Sequence, residues 1–364
     1  MRSIGIAVLL FFSNSSTLYG QQQITLLFAG DLMQHKEQIN AARTADGTYD
    51  YTPCFADVCS RIGNADLAIA NLETTFAHTP YTGYPAFNSP DEYLYAIRDA
   101  GFDVLLTANN HCLDRRQKGL ERTIRLLDSL HIPHTGTYRT AEERSKRYPL
   151  FLLKKGFRIA LLNYTYGTNG IRPTPPNRVN YIDKDSILQD INIARAWQPD
   201  VIIACMHWGN EYQSLPNAEQ RQLADWLLQR GVTHVIGSHP HVIQPIEIRT
   251  DSLGGSKHAI VYSLGNFISN MSRANTDGGL IFTMTLEKNT VDRIIPRTYL
   301  KQCSYSLVWT ARPALTQEQN YRLCPIDSLS IARLPSNARQ RLNIFVNHAR
   351  RLLNKYNIGD VREE

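Results

Sequence analysis

Short apolar runs alternate with helical patterns along most of this chain, and the apolar runs stop at polar residues. Residues 24–29 are apolar and end at Gly30-Asp31, which reads as a strand and its exit turn. Runs at 67–70, 102–107, 157–163, 201–206, 234–236 and 259–262 continue the series. Helical patterns fall between them at 55–62, 92–100, 119–130, 186–197 and 218–230, with Gly101 and Gly231 as stop signals. Strand, helix, strand, repeated, predicts an α/β fold. Residues 280–286 and 292–296 read as late antiparallel strands. Past residue 300 the pattern changes. Residues 337–355 form a basic amphipathic helix with Leu342, Phe345, Val346, Leu352 and Leu353 on one face. It is expected to cap the domain; contact with a polymer or membrane is the sharper alternative. The Pro- and Gly-rich loop at 166–178 belongs to the kind that overhangs a pocket.

The first residues carry a different signal. Arg2 precedes a short apolar run at 4–12 and a polar stretch at 13–17, the layout of an export leader. Cleavage is expected after Gly20, with Ser13-Asn14-Ser15 as an alternative site. The division expected is a leader at 1–20, a main domain at 21–300 and an extension at 301–364. No cysteine near the cleavage region supplies a lipid anchor, and no later apolar stretch is long enough to span a bilayer. The mature protein is therefore expected to be exported, periplasmic or secreted, with no stable transmembrane anchor. The six cysteines include no C-x-x-C pair, which argues against a thiolate zinc site. Cys205 reads as a buried thiol; Cys303 with Cys324, or Cys54 with Cys59, are the candidate disulfides. A net charge of +6 without a run of Lys and Arg gives no reason to expect nucleic acid. It suits an anionic polymer or a phosphate near the surface.

In open α/β sheets ligands bind past the strand ends, so the polar clusters there carry the chemistry. Asp31 and Glu73 each leave a strand as carboxylates. Asn109, Asn110 and His111 follow another strand, with Asp114 three residues on. Asn110 offers a neutral oxygen ligand, and His111 a general acid that Asp114 can orient. His207 ends an apolar run and is followed by Trp208, Glu211 and Tyr212, expected as a cleft wall. In His239-Pro240-His241 the two imidazoles point the same way if the backbone stays extended, and Pro240 favours that geometry at His239. Asp31, Glu73, Asn110, His207, His239 and His241 together suffice for two divalent ions sharing a carboxylate.

The order of these motifs resembles the CapA-type capsule (poly-γ-glutamate) synthesis family. The resemblance rests on Gly30-Asp31-x-Met33, Asn71-Leu72-Glu73, Ala108-Asn109-Asn110-His111, His207-Trp208-Gly209-x-Glu211-Tyr212, Gly237-x-His239-Pro240-His241-Val242 and Ser263-Leu264-Gly265-Asn266-Phe267. It runs from about residue 24 to 285. The family is similar to calcineurin-type metallophosphoesterases, which implies a layered α/β/β/α sandwich, here with a C-terminal helical appendage. By the same resemblance Asp31, Glu73 and His241 hold one ion, and Glu73, Asn110, His207 and His239 the other. His111 is then the catalytic histidine, and Asn266 lines the pocket with Glu211. Met33 stands where the phosphoesterase pattern has a histidine, and Glu73 where it has an aspartate. His35 is the candidate replacement ligand. The implied cofactors are divalent ions (Mn, Zn, Fe or Mg). The implied substrates are an anionic polymer, a phosphoester or a γ-glutamyl chain. Two versions stay open: a metal-dependent hydrolase or transferase, and a polymer-binding or export factor without turnover.

Overall fold

Side chains alternate across a strand, so each apolar strand offers two faces that must be covered. The computed structural model describes residues 22–251, 255–289 and 297–364. The leader expected at 1–20 and the strand expected at 292–296 lie outside the described residues. In chain order the strands are β1 (Gln22–Leu32), β2 (Leu67–Leu72), β3 (Val104–Leu106), β4 (His134–Thr135), β5 (Thr137–Tyr138), β6 (Leu150–Lys154), β7 (Phe157–Thr165), β8 (Arg178–Val179), β9 (Val201–His207), β10 (His234–Ser238), β11 (Ile246–Thr250), β12 (Lys257–Val261), β13 (Asn266–Ile268), β14 (Gly278–Asn289), β15 (Arg297–Ala311), β16 (Arg322–Pro325) and β17 (Arg362–Glu363). The main helices are α1 (Asp91–Asp99), α2 (Arg116–Ser129), α3 (Lys184–Ala196), α4 (Ala218–Gln229) and α5 (Ser336–Tyr356).

Two large sheets result. The first has the order β16-β15-β14-β1-β2-β3-β4, with β13 added to β1 and β17 to β15. The second has the order β11-β12-β10-β9-β7-β6. Strands β1 to β4 run parallel, as do β7, β9, β10 and β12, so both sets of C-terminal ends gather chemistry at one edge. The alternation sorts the layers. Ile24, Leu26, Phe28, Ile69 and Val104 of the first sheet share one buried cluster with Ile159, Leu161, Ile203, Cys205 and Ile236 of the second. Leu27, Ala29, Ala68 and Ala70 face the other way, onto Tyr93, Leu94 and Ile97 of α1. Leu162, Ile202 and Ala204 likewise meet Ile187 and Ile191 of α3 and Leu223 and Leu227 of α4. The protein is an α/β/β/α sandwich.

Several expectations change at this level. The helix expected at 55–62 is two short pieces, Thr52–Phe55 and Cys59–Gly63, the first begun by Pro53 with its preset φ. Residue 300 falls inside β15, which pairs with β14 along most of its length. The apolar face of α5 (Leu342, Phe345, Val346, Leu353) joins the same buried cluster as Leu280 and Trp309. That face is covered by protein, which removes it as a polymer- or membrane-contacting surface. Truncating a buried aromatic such as Phe345 costs about 3–5 kcal/mol, so α5 contributes to the stability of the sandwich. No helix among the described residues is long and apolar enough to cross a membrane. Neither expected disulfide forms, and the six thiols are free. Cys324 stands in register with Trp309, whereas Cys303 stands opposite Met284, so the two do not meet. Cys54 is buried and Cys59 exposed.

Candidate metal centre between the two sheets

One irregularity in β1 aims its carboxylate. Phe28 pairs with Ile69 on the inner face and Ala29 with Ala70 on the outer one. The register then slips, so that Asp31, not Gly30, stands opposite Asn71. A bulge of this kind turns the next side chain to the other face, and it moves Asp31 inward. Gly30 is required there because a Cβ would lie 1.9 Å from the carbonyl oxygen of Gly265. That close approach lets β13 lie along β1, with Asp31 N donating to Gly265 O at 3.1 Å. Glu73 follows directly after β2 and is pinned by its own N–H on Leu32 O at 3.1 Å.

The second sheet supplies the imidazoles. His207 continues the inward face set by Ile203 and Cys205. Its Nε2 lies 2.9 Å from Asn110 Oδ1 and its Nδ1 3.0 Å from Ser238 Oγ. His239 and His241 leave β10 on a bend, not on extended backbone. Their φ angles are 101° and 58°, in the region that side-chain-bearing residues avoid. The extended geometry expected for His-Pro-His is thus wrong: Pro240 constrains its own φ, but the turn back toward the first sheet dictates its neighbours. The rings still converge, with centroids 4.8 Å apart for His207–His239 and 5.9 Å for His239–His241.

Asn71 ties the two halves together. Its amide nitrogen reaches Asp31 Oδ1 at 2.7 Å, Glu73 Oε2 at 3.0 Å and His207 Nδ1 at 3.4 Å. His241 Nδ1 lies 3.2 Å from Asp31 Oδ2 and 3.0 Å from Asn266 Oδ1. Asp31, Glu73 and His207 are all fully buried. Their ligand atoms form one group lying within 4.8 Å of one another, and Glu211, His239 and His241 form a second. His241 stands between the two groups: it lies 3.2 Å from Asp31 and 4.0 Å from Glu73, as the resemblance implied, and its ring is 5.9 Å from that of His239. Glu211, expected on the cleft wall, groups with the two histidines.

The electrostatics fit a cation. Burial, and then the Asp31 carboxylate, push Glu73 well above the ordinary carboxylate range. Burial pushes His207 well below the usual imidazole value and His239 down to about 3, with the neighbouring histidines adding to both shifts. Among the described residues no Lys or Arg pairs with Asp31 or Glu73. Glu73 Oε1 and His239 Nδ1 are buried without a hydrogen-bond partner. Buried carboxylates and orphaned ring nitrogens are costly unless something satisfies them. The donor set of carboxylate, amide oxygen and imidazole suits a hard or borderline divalent ion.

The other expected residues divide. His111 Nδ1 lies 2.7 Å from Asp114 Oδ2, which also accepts from Phe87 N at 2.7 Å. Burial raises the Asp114 carboxyl, and the His111 contact opposes that rise. Tyr212 is half-buried, donates its N–H to Pro240 O at 2.8 Å, and holds its ring 6.2 Å from that of His241. Burial and then Glu211 push its hydroxyl up to about 12. Asn109 does not line a pocket. It is fully buried, donating to Leu72 O at 2.7 Å and Asn71 Oδ1 at 3.2 Å, so it splices two strand ends. Trp208 is a core residue as well, with Nε1 on Tyr262 O at 3.0 Å. At a strand end the parity flips once more, and Trp208 falls on the outer face. His35 belongs to neither ligand group. It caps the helix Lys36–Ala42, with Nδ1 3.2 Å from Gln38 Oε1. Burial lowers it to about 4. Met33 is buried and offers no imidazole.

Four contributors escape the sequence reading. Asn71 enters only as part of the Asn71-Leu72-Glu73 motif, with no role of its own. Ser238 is too ordinary a residue to single out. Tyr166 and Asn169 sit in the loop after β7. The Tyr166 ring lies 4.4 Å from His239, and Asn169 Oδ1 accepts from Asn110 Nδ2 at 3.3 Å.

Fold and site together define a layered α/β protein with a carboxylate–imidazole centre buried between its sheets. The chain matches the family described as bacterial capsule synthesis protein PGA_cap over residues 25–271, and it belongs to that family. It is 25% identical over 297 residues to the PGA biosynthesis protein CapA of Bacillus subtilis (strain 168), covering 76% of this chain and 71% of that one. It is 26% identical over 284 residues to the capsule biosynthesis protein CapA of Bacillus anthracis, covering 74% of this chain and 65% of the relative. Among solved structures, the NAD nucleotidase (NadN) of Haemophilus influenzae aligns with a TM-score of 0.49 at 10% identity, over 92% of this chain and 68% of that chain. The 5'-nucleotidase of Candida albicans SC5314 aligns with a TM-score of 0.42 at 14% identity, over 90% of this chain and 58% of that chain.

Proposed function

We propose that this protein acts in the synthesis of an extracellular anionic polymer of the poly-γ-glutamate kind, as a metal-dependent hydrolase or transferase. The carrying observation is the buried meeting of Asp31 and Glu73 with His207, and of His239 with His241, with no Lys or Arg among the described residues paired to either carboxylate. Family membership supports the polymer. Divalent ions held by Asp31, Glu73, Asn110, His207, His239 and His241 would supply Lewis acidity toward a phosphoryl or acyl oxygen. The chain's own groups do the rest. Asp114 holds His111 by Nδ1, which leaves Nε2 as the atom that hands a proton to a departing oxygen or nitrogen. Asn71 keeps Asp31 and Glu73 in place against their mutual repulsion. Tyr166 covers the imidazole side from solvent. The export leader read at 1–20 supports placing this work outside the cytoplasm.

The test measures bound Mn, Zn, Fe and Mg, together with turnover of a generic phosphodiester and of a γ-glutamyl oligomer. Wild type, His239→Ala and His111→Ala are compared. Metal and turnover in wild type are expected, with His239→Ala losing both and His111→Ala keeping metal but losing turnover. A protein that takes up no metal under any loading sinks the reading. Polymer binding with metal but no turnover replaces the enzyme by a binding or export factor.

A further inference from the structure

One arginine reaches toward the centre through Tyr212, whose ring lies 6.2 Å from that of His241. Arg273 is exposed and has no ion pair among the described residues. Its guanidinium carbon lies 4.1 Å from the centre of the Tyr212 ring. Stacking of this kind fixes the plane of the guanidinium and leaves its N–H fork open.

Both halves of this stack are fastened to the metal-centre turn. Tyr212 donates its N–H to Pro240 O, between His239 and His241. Thr276 donates its N–H and hydroxyl to Arg273 O at 3.2 and 2.8 Å. Thr276 O in turn accepts from Asn266 Nδ2 at 2.8 Å, and Asn266 Oδ1 contacts His241. Arg312 and Arg341 bond the carbonyls of Met271 and Ser272 and so pin the same loop, Arg341 while also paired with Asp277 at 2.7 Å. A guanidinium fixed by stacking, without an ion pair, on a pinned loop beside the candidate metal centre is suited to receive an anion. Glu211, which contacts Tyr212, groups with His239 and His241, where a bound ion would offset its charge.

We propose that Arg273, held by Tyr212, anchors a carboxylate or phosphate group of the substrate next to the His239–His241 side of the centre. The inference rests on the functional reading above and narrows it: the substrate carries an anionic group one residue layer from its reacting bond. Arg is the suitable residue because its fork meets either oxyanion with two hydrogen bonds.

The experiment uses the full chain, metal-loaded, as wild type, Arg273→Gln, Arg273→Lys and Tyr212→Leu. Three probes are titrated by fluorescence anisotropy at low and high salt: a labelled γ-glutamyl oligomer, its methyl ester, and a glycerol-phosphate oligomer. Metal content is read on every variant. Arg273→Gln is expected to keep its metal and to weaken one anionic probe by about tenfold or more. The ester, which lacks the charge, is expected to bind equally weakly to all variants. Lysine should restore only part of the affinity, because it offers a point charge and no fork. Tyr212→Leu should fall between wild type and Arg273→Gln. The oligomer affected, carboxylate or phosphate, identifies the source of the anion. Tight binding of an anionic probe that Arg273→Gln leaves unchanged overturns this inference and leaves the proposed function standing. A wild-type protein that holds metal but binds neither anionic probe overturns both.

Discussion

The two sheets bring opposite chemistry to one centre. The sheet built on β1 and β2 contributes the carboxylates Asp31 and Glu73, and the sheet built on β9 and β10 contributes His207, His239 and His241. Each solves the same problem differently. The carboxylate sheet bulges at Gly30 to turn Asp31 inward, while the imidazole sheet keeps strict alternation to His207 and then bends. One segment serves both. The chain from Tyr262 to Gly265 passes between the sheets, pressing Tyr262 O against Gly237 and Gly265 O against Gly30. A Cβ at Gly237 would lie 2.0 Å from Tyr262 O, nearly the same intrusion as at Gly30. The lesson is that the centre exists only where both sheets are held at a fixed spacing, and neither sheet carries a complete ligand set.

The largest effect should come from removing either contribution. Asp31→Ala and His207→Ala are each expected to lower metal affinity by more than the roughly 10–100-fold that a supporting residue costs. Isothermal titration with Mn or Zn checks this. If one sheet's variant kept wild-type affinity, the centre would belong to the other sheet alone.

Asn71→Leu tests the tie between the sheets. It removes contacts to Asp31, Glu73 and His207 while keeping all ligands. About 10–100-fold weaker metal binding is expected from the same titration.

Gly30→Ala and Gly237→Ala test the spacing. Each forces a methyl against a backbone carbonyl that cannot swing away, which costs about 1–3 kcal/mol, as overpacking does. Urea midpoints measure it. A loss at Gly30 alone would show that the segment 262–265 is rigid only on the carboxylate side.

The two sheets should also respond to pH with opposite sign in the metal-free protein. His239 is depressed from 6.5 to about 3 on folding, so the unfolded chain binds the proton first as pH falls below 6.5. Stability contributed by this neutral histidine is full above that value and declines toward acid, by about 2 kcal/mol at pH 5. Glu73 is raised on folding, so the folded chain binds the extra proton and stability declines as pH rises above 4.5. Urea midpoints across this range should flatten on the acid side in His239→Gln and on the alkaline side in Glu73→Gln. Equal slopes in both variants would refute the division of charge between the sheets. The smallest effect is expected for Asn169→Ala, whose contacts to Asn110 and His111 lie at 3.3 and 3.5 Å; stability should move by no more than about 0.5 kcal/mol.

Much of this was legible in the amino acids. The strand–helix alternation predicts the α/β fold, and the apolar runs of β1, β2, β7, β9 and β10 are found in the sheets. Asp31, Glu73, Asn110, His207, His239 and His241 are polar residues at or past the ends of β1, β2, β3, β9 and β10, and the structure brings their side chains near one another. The division expected at 300 falls inside β15, whose pairing with β14 is a contact the local pattern does not show. Trp208 and Asn109 could not be told from pocket residues. Side chains adjacent in sequence at a strand end point to opposite faces, and only the packing shows which face is the cleft.

His239-Pro240-His241 shows where the boundary between the two kinds of knowledge falls. Hydrophobic periodicity decides where strands begin and end, and so which residue types reach the centre. How those residues are aimed follows only from the packing of the sheets. The bulge at Gly30, the left-handed turns at His239 and His241, and the stack of Arg273 on Tyr212 each depend on a partner far along the chain. Local preference opposes a positive φ at histidine. The closure of one sheet over the other outweighs it, since a strain of about 1–3 kcal/mol is small beside the burial that joins the two sheets.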